Sequence, residues 1–214
     1  IELVGKGLYG PALKLITEKN PLPFITGTIC AHRCQNKCSR NFYDESVHIR
    51  DAKLVAAEKG FETVMASMKP AKKVAGKKAA IIGGGPTGMA AAYFLARGGV
   101  ETTIFEREAT LGGVPRHVIP SFRIAEETIE KDIALMEKQG VEVKCGAPAP
   151  SVAELKAMGY THILFAVGAW KAGRLDIEGA VAGAIQWMKG VKAGNIAVVG
   201  SVAVVGAGNT AMDA

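Results

Sequence analysis

Apolar positions follow two rhythms along this chain, and the change between them divides it. In residues 1–22, Leu8, Ala12, Leu15 and Ile16 recur at helical spacing. They predict a helix that Asn20-Pro21-Leu22-Pro23 ends. Phe24 to Ile29 reads as a short connector. Residues 47–68 predict a second amphipathic helix, with Ala52, Val55, Ala56, Lys59 and Val64 along it. From Ala79 the pattern shifts to short apolar runs punctuated by glycine. Ala79 to Ile82 predicts a strand, Gly83-Gly84-Gly85-Pro86-Thr87-Gly88 a turn, and the alanine-rich run to Arg97 a helix that Gly98-Gly99 stops. Val100 to Phe105 predicts a second strand, ending at the carboxylate of Glu106.

The alternation continues downstream. Leu111-Gly112-Gly113-Val114 is a second glycine turn, followed by Ile119 to Ile124. Residues 125–139 predict a helix with Ile129, Ile133 and Met136 on one face and Gly140 at its C-terminus. Strands are expected at Val141 to Lys144 and Thr161 to Ala166. Between them lies a short helix, Ser151 to Met158, opened by the capping-box pair Ser151 and Glu154. Ala180 to Met188 predicts a further helix, and Ile196–Gly200 and Val202–Gly206 two β-rich runs. Strands alternating with helices imply an α/β, Rossmann-like fold preceded by a small all-α unit.

Two uncharged stretches, 79–96 and 194–212, approach the length of a membrane helix, but glycine interrupts both. No membrane span or signal peptide is expected, and the reading is cytoplasmic. The chain opens at Ile1 and stops at Ala214 inside what reads as a new unit, so both ends are expected to be cuts. The net charge of +6 owes much to five lysines between Lys69 and Lys78. A nucleic-acid-binding module working through this run is one reading. The run lacks stacking aromatics, so a solvated linker marking a domain boundary is the better one, and no nucleic-acid partner is expected.

The chemistry concentrates in three places. Strand, GxGxxG turn, helix, strand and acid form the order of a dinucleotide-binding unit. Gly83 permits the tight exit, Gly85 lets a pyrophosphate approach the backbone, and Gly88 lets the helix lie close to the sheet. The helix N-terminus offers N–H groups and a positive dipole end to the phosphates. Glu106, 23 residues after Gly83, can accept from both ribose hydroxyls. A second fingerprint, Gly206-Ala207-Gly208-Asn209-Thr210-Ala211, follows the last apolar run, with its helix expected beyond Ala214. Cys30, Cys34 and Cys38 form C-x3-C-x3-C, three of the chain's four cysteines within nine residues. Thiolate–metal ligation is favoured: an iron–sulfur cluster first, then zinc with His32 or His48, against unligated thiols. Cys145 alone reads as a buried thiol. No nucleophile–base arrangement is present, so no catalytic side chain is named. Residues 79–214 hold a single cysteine, which argues against disulfide reduction.

The cysteine cluster, IIGGGPTGMAAAYFLA, FERE, LGG, IPSFR, AVGAW and VVGAGNTAMDA, in this order, resemble the glutamate synthase small-subunit family. The same features are similar to the N-terminal half of dihydropyrimidine dehydrogenase, and most of all to selenate-reductase-type flavoprotein chains. The resemblance implies a helical iron–sulfur unit (1–68), a basic linker (69–78), an FAD-binding domain (79–190) and the start of an NAD(P)H domain (191–214). It implies FAD at Gly83, Gly85, Pro86, Thr87, Gly88, Glu106 and Arg107, with Gly112, Gly113, Val114, Arg123 and Gly168 bordering it. Gly206, Gly208, Asn209 and Thr210 would take NADPH or NADH. Cys30 and Cys34 would serve one [4Fe–4S] cluster and Cys38 another, with partner cysteines upstream. Lys53 stands about where the family can use a Gln or Glu ligand, and an ammonium has no lone pair to give iron. The implied activity is hydride transfer from NAD(P)H to FAD, then single electrons through the clusters to a partner domain or subunit. The alternative is a flavin-binding docking subunit without electron flow.

Overall fold

The apolar runs around the first glycine turn pair with one another because strands exist only by exchanging backbone hydrogen bonds. The computed structural model describes residues 1–171, 173, 178–179, 181–197 and 200–214. The chain begins with helices α1 (Glu2–Gly5), α2 (Tyr9–Thr17) and α3 (Pro23–Ile29). Two 3-10 turns, Gln35–Lys37 and Ser39–Phe42, carry the cysteine segment into α4 (Ile49–Ser67). Then come β1 (Lys78–Ile82), α5 (Pro86–Arg97), β2 (Glu101–Phe105), α6 (Val114–His117), α7 (Glu126–Glu137) and β3 (Glu142–Lys144). They are followed by α8 (Val152–Ala157), β4 (His162–Phe165), α9 (Ala184–Lys192) and α10 (Asn209–Asp213).

The four strands form one parallel sheet in the order β3-β2-β1-β4. Ile81 pairs with Ile104 and Ile82 with Phe105. The period of two sends Ile81 and Ile104 to one face, under Met89, Ala92 and Tyr93 of α5 and Ile129, Ile133 and Met136 of α7. Ala80 and Phe105 go to the other face, against Leu155 of α8 and Tyr160. The expected face of α7 is therefore the buried one, and the capping box at Ser151 forms as read.

In the N-terminal unit α2 crosses α4 at close range. A side chain at Gly60 would meet the Tyr9 carbonyl oxygen at 2.5 Å, and one at Gly10 would meet Thr63 at 2.8 Å. The buried positions of α2 are Ala12, Leu13 and Thr17, whereas Leu8 and Leu15 face solvent. The apolar stripe is thus rotated from the expected one, because the glycine crossing selects which face meets α4.

Phe24 to Ile29 is a helix and not a connector. Pro23 occupies the first helical turn, where its missing N–H costs nothing. This helix joins the two units: Leu22 and Ile25 enter the core above the sheet, and Phe24 packs in a second core with Leu13, Ala57, Val64 and Leu135 of α7. The lysine run keeps most of its side chains in solvent, but its backbone is tied down. Val74 donates to Gly99 O (2.8 Å) and Glu101 donates to Lys77 O (3.2 Å).

Residues 201–207 form no strand, contrary to the expectation for Val202–Gly206. None of the four strands pairs with this run, and a strand without a ladder has no reason to exist. The helix of the second fingerprint starts at Asn209, not beyond Ala214. Ala180, in the expected helix now seen from Ala184, and Val198 and Val199, in the run Ile196–Gly200, lie outside the described residues. Among the described residues no helix is long and apolar enough to cross a membrane.

Candidate functional site

A cleft of about 740 Å³ opens at the carboxyl ends of β1, β2 and β4. Ligands of open parallel sheets bind at this edge, where the strand order reverses at β1. Gly83, Gly85, Pro86 and Thr87 form its floor, Glu106 and Arg107 one side, and Gly113 and Val114 the opposite rim. Gly168 and Trp170 line the end beyond β4.

The glycines have separate duties. Gly83 has φ +107°, and a side chain there would strike the Ala166 carbonyl. A side chain at Gly88 would strike the carbonyl oxygen of Gly83, so α5 can start directly on the turn only with glycine there. Gly85 differs: its φ is −75°, and an added Cβ would find its nearest atom, Gly113 Cα, at 3.8 Å. Its missing side chain therefore leaves room in the cleft and not in the protein. No side chain caps α5, so its first N–H groups stay available beside that space.

The two glycine turns lock together. Gly112 donates to Gly84 O at 2.9 Å, and a Cβ on Gly113 (φ +57°) would lie 2.8 Å from Gly85 Cα. Gly84 was passed over in the sequence because the fingerprint leaves its position free; a side chain there would run into Leu111. Glu106 is buried, with 8% exposure, and accepts from Gly84 N (2.6 Å) and Glu108 N (2.9 Å). These two donors orient the carboxylate at the cleft wall, and each oxygen keeps lone-pair capacity for a further donor.

At the cleft mouth, two cations lie over the Trp170 ring, Arg107 at 5.5 Å and Lys189 of α9 at 5.4 Å from its centroid. Gln186 donates to Trp170 O (2.6 Å), and Lys189 pairs with Glu108 (2.6 Å), holding that carboxyl below its usual range. Trp170 appears in the sequence only within the AVGAW run, and Arg116 gave no signal beyond a lone arginine after the second glycine turn. Arg116 is buried against Gly112 and pairs with Glu130 of α7, while its Nε has no partner among the described residues.

Other expected site residues lie elsewhere. Arg123 is outside the cleft and pairs with Asp213 at 2.9 Å. Gly206, Gly208, Asn209 and Thr210 are exposed at the start of α10 and do not line the cleft. Cys30 and Cys34 are exposed and Cys38 is half-buried, all as free thiols. Backbone donors, Val47 first and then Arg40, hold the Cys38 thiol below its usual range. Among the described residues no three His, Cys, Asp or Glu side chains are grouped to hold a metal. Lys53 is half-buried, its ammonium pushed down by desolvation, with Cys30, Asp132 and Cys34 near enough to act on it.

Comparison with known proteins agrees with this architecture. Residues 77–214 match the family model described as "Pyridine nucleotide-disulphide oxidoreductase". Residues 1–65 match "Dihydroprymidine dehydrogenase domain II, 4Fe-4S cluster". The chain is 42% identical over 219 residues to YgfK of Escherichia coli (strain K12), covering 100% of this chain and 21% of that protein. It is 31% identical to the NADPH-Fe(3+) oxidoreductase subunit beta of Geobacter sulfurreducens, covering 100% of this chain and 34% of the relative. It is also 31% identical to the glutamate synthase [NADPH] small chain of Bacillus subtilis, covering 83% of this chain and 36% of the relative. The chain thus spans between about a fifth and just over a third of these relatives' lengths. With its parallel sheet, glycine turns and matched length, the chain belongs to the pyridine nucleotide-disulphide oxidoreductase family and carries an N-terminal dihydropyrimidine dehydrogenase-type iron–sulfur domain.

Proposed function

We propose that this chain is the FAD-binding part of an NAD(P)H-dependent electron-transfer oxidoreductase that delivers electrons to a partner domain or subunit. The observation that carries the reading is the interlocked pair of glycine turns, Gly83–Gly88 and Gly112–Gly113, facing a cleft walled by the buried Glu106. The donor set fits a dinucleotide: bare backbone at Gly85 and uncapped N–H groups of α5 for a pyrophosphate, and a fixed carboxylate for ribose hydroxyls. Gly113 and Val114 would border the ring system, and Arg107 with Trp170 would close the mouth. FAD, when bound, accepts a hydride and passes electrons on singly. The protein's part is to position it, exclude water and supply charge. The names of two relatives carry NADPH, which favours NADPH as donor, with Gly206–Thr210 beginning its site.

The cysteine segment fits a cubane cluster less well. Three thiols fall short of four soft donors, and Lys53 brings an ammonium beside Cys30 and Cys34. No electron step is therefore assigned to these three residues by themselves. The free thiols fit a reducing, cytoplasmic compartment.

Anaerobic purification of the longest available form should give a yellow protein whose flavin absorbance bleaches with NADPH. A folded, colourless protein that takes up no FAD would overturn the reading. Full FAD content with no bleaching by either nicotinamide would make the chain a docking subunit instead.

A further inference from the structure

The buried carboxylate of Asp132 does not line the cleft and is unused by the reading above. It projects from α7 of the nucleotide-binding unit and is 0% exposed. Its two oxygens accept from the backbone N–H groups of Phe24 (3.0 Å) and Ile25 (2.7 Å), in the first turn of α3. These bonds join residues more than a hundred positions apart and cross from one unit to the other. The far end of the same short helix is capped by Cys30, the first cysteine of the C-x3-C-x3-C segment. We propose that Asp132 is the positioning residue that registers the cysteine-bearing arm on the nucleotide-binding unit, and that this docking takes up a proton.

The two hydrogen bonds supply the positioning, and full burial supplies the proton. Two convergent N–H donors orient a carboxylate and fix the rotation of α3 about its axis. Full burial without an ion pair among the described residues opposes the ionised form. Lys53 of α4 is the charge that reaches Asp132, and it acts from a half-buried position shared with Cys30 and Cys34. From α3 come only backbone donors. On α7 itself Lys131 lies over the Phe24 ring at 5.2 Å, α5 turns Tyr93 as its one buried titratable group toward the shared core, and Arg116 of α6 is engaged by Glu130. Burial outweighs the two backbone bonds and pushes the Asp132 carboxyl up to about 7 from its ordinary 3.8.

The sign follows from linkage. An arm that lifts off α7 exposes Asp132 to water and returns its carboxyl toward the ordinary value. Between that value and neutrality the docked form holds a proton that the released form has given up. Docking is therefore tightest below the ordinary value and loosens as pH rises from there to about 7. The inference does not depend on what the cleft binds, because no nucleotide-binding residue takes part.

Hydrogen–deuterium exchange at the amides of Phe24 and Ile25, corrected for the intrinsic pH dependence of exchange, tests this. Protection should fall roughly tenfold between pH 6 and pH 8.5, the change that a shift to about 7 implies. Asp132→Asn stays neutral at every pH and should give a flat profile. Lys53→Met removes a charge that favours the carboxylate and should carry the wild-type midpoint to higher pH, which keeps the test intact if Asp132→Asn folds poorly. PH-independent protection in the wild type, or an unmoved midpoint in Lys53→Met, would overturn the proposal. A purely structural contact would lower protection in Asp132→Asn equally at all pH values.

Discussion

Gly85 and Gly88 are three residues apart in one motif, yet substitution should separate them. Gly85 has an ordinary backbone conformation and open space toward the cleft. Gly85→Val is expected to fold normally and lose FAD several-fold, read as flavin-to-protein absorbance beside an unchanged thermal transition. Equal flavin content would remove the site from this turn. Gly88→Ala drives a methyl into the Gly83 carbonyl. It should cost about 1–3 kcal/mol of stability, seen as a lower urea midpoint, whether or not a cofactor is present. The sequence made the spacing of these glycines legible, since only glycine answers both demands. It said nothing of Gly84, whose neighbour Leu111 lies twenty-seven positions on, nor of Arg116, whose partner Glu130 is on another helix.

Elements were legible wherever their cause was local. The capping box at Ser151 follows from two residues three apart, and the hydroxyl does accept from Glu154 N. Ser151→Ala should cost about 1 kcal/mol by chemical denaturation and leave the fold intact. The helix α7 followed from its period. Elements that depend on a distant partner were misread. Phe24 to Ile29 looked like a connector because it is short and follows two prolines, and it is helical because its apolar side fills two cores and Asp132 receives its first N–H groups. Val202–Gly206 has strand composition, but composition without a neighbouring ladder leaves it irregular.

For the molecule as a whole, the basic run at 69–78 separates two compositions without separating two bodies. Leu135 of α7 packs with Leu13, Phe24, Ala57 and Val64, so the second core draws on both sides of that run. Leu135→Ala should cost about 2–5 kcal/mol. Because the core is shared, unfolding should remain one transition by circular dichroism and calorimetry, at a lower temperature. Two separate transitions in the wild type would show that the units are independent. By itself the sequence determined the alternation of strand and helix, the spacing of the first glycine turn and the carboxylate at the end of β2. Each is set by neighbours within one βαβ unit, where period and steric demand are local. Only the tertiary structure decided that the second glycine turn locks onto the first, that Arg123 turns away from the cleft to Asp213, and that Asp132 holds the cysteine arm. Those outcomes depend on which surfaces meet after the chain closes on itself, and contacts between remote positions leave no periodic trace along it.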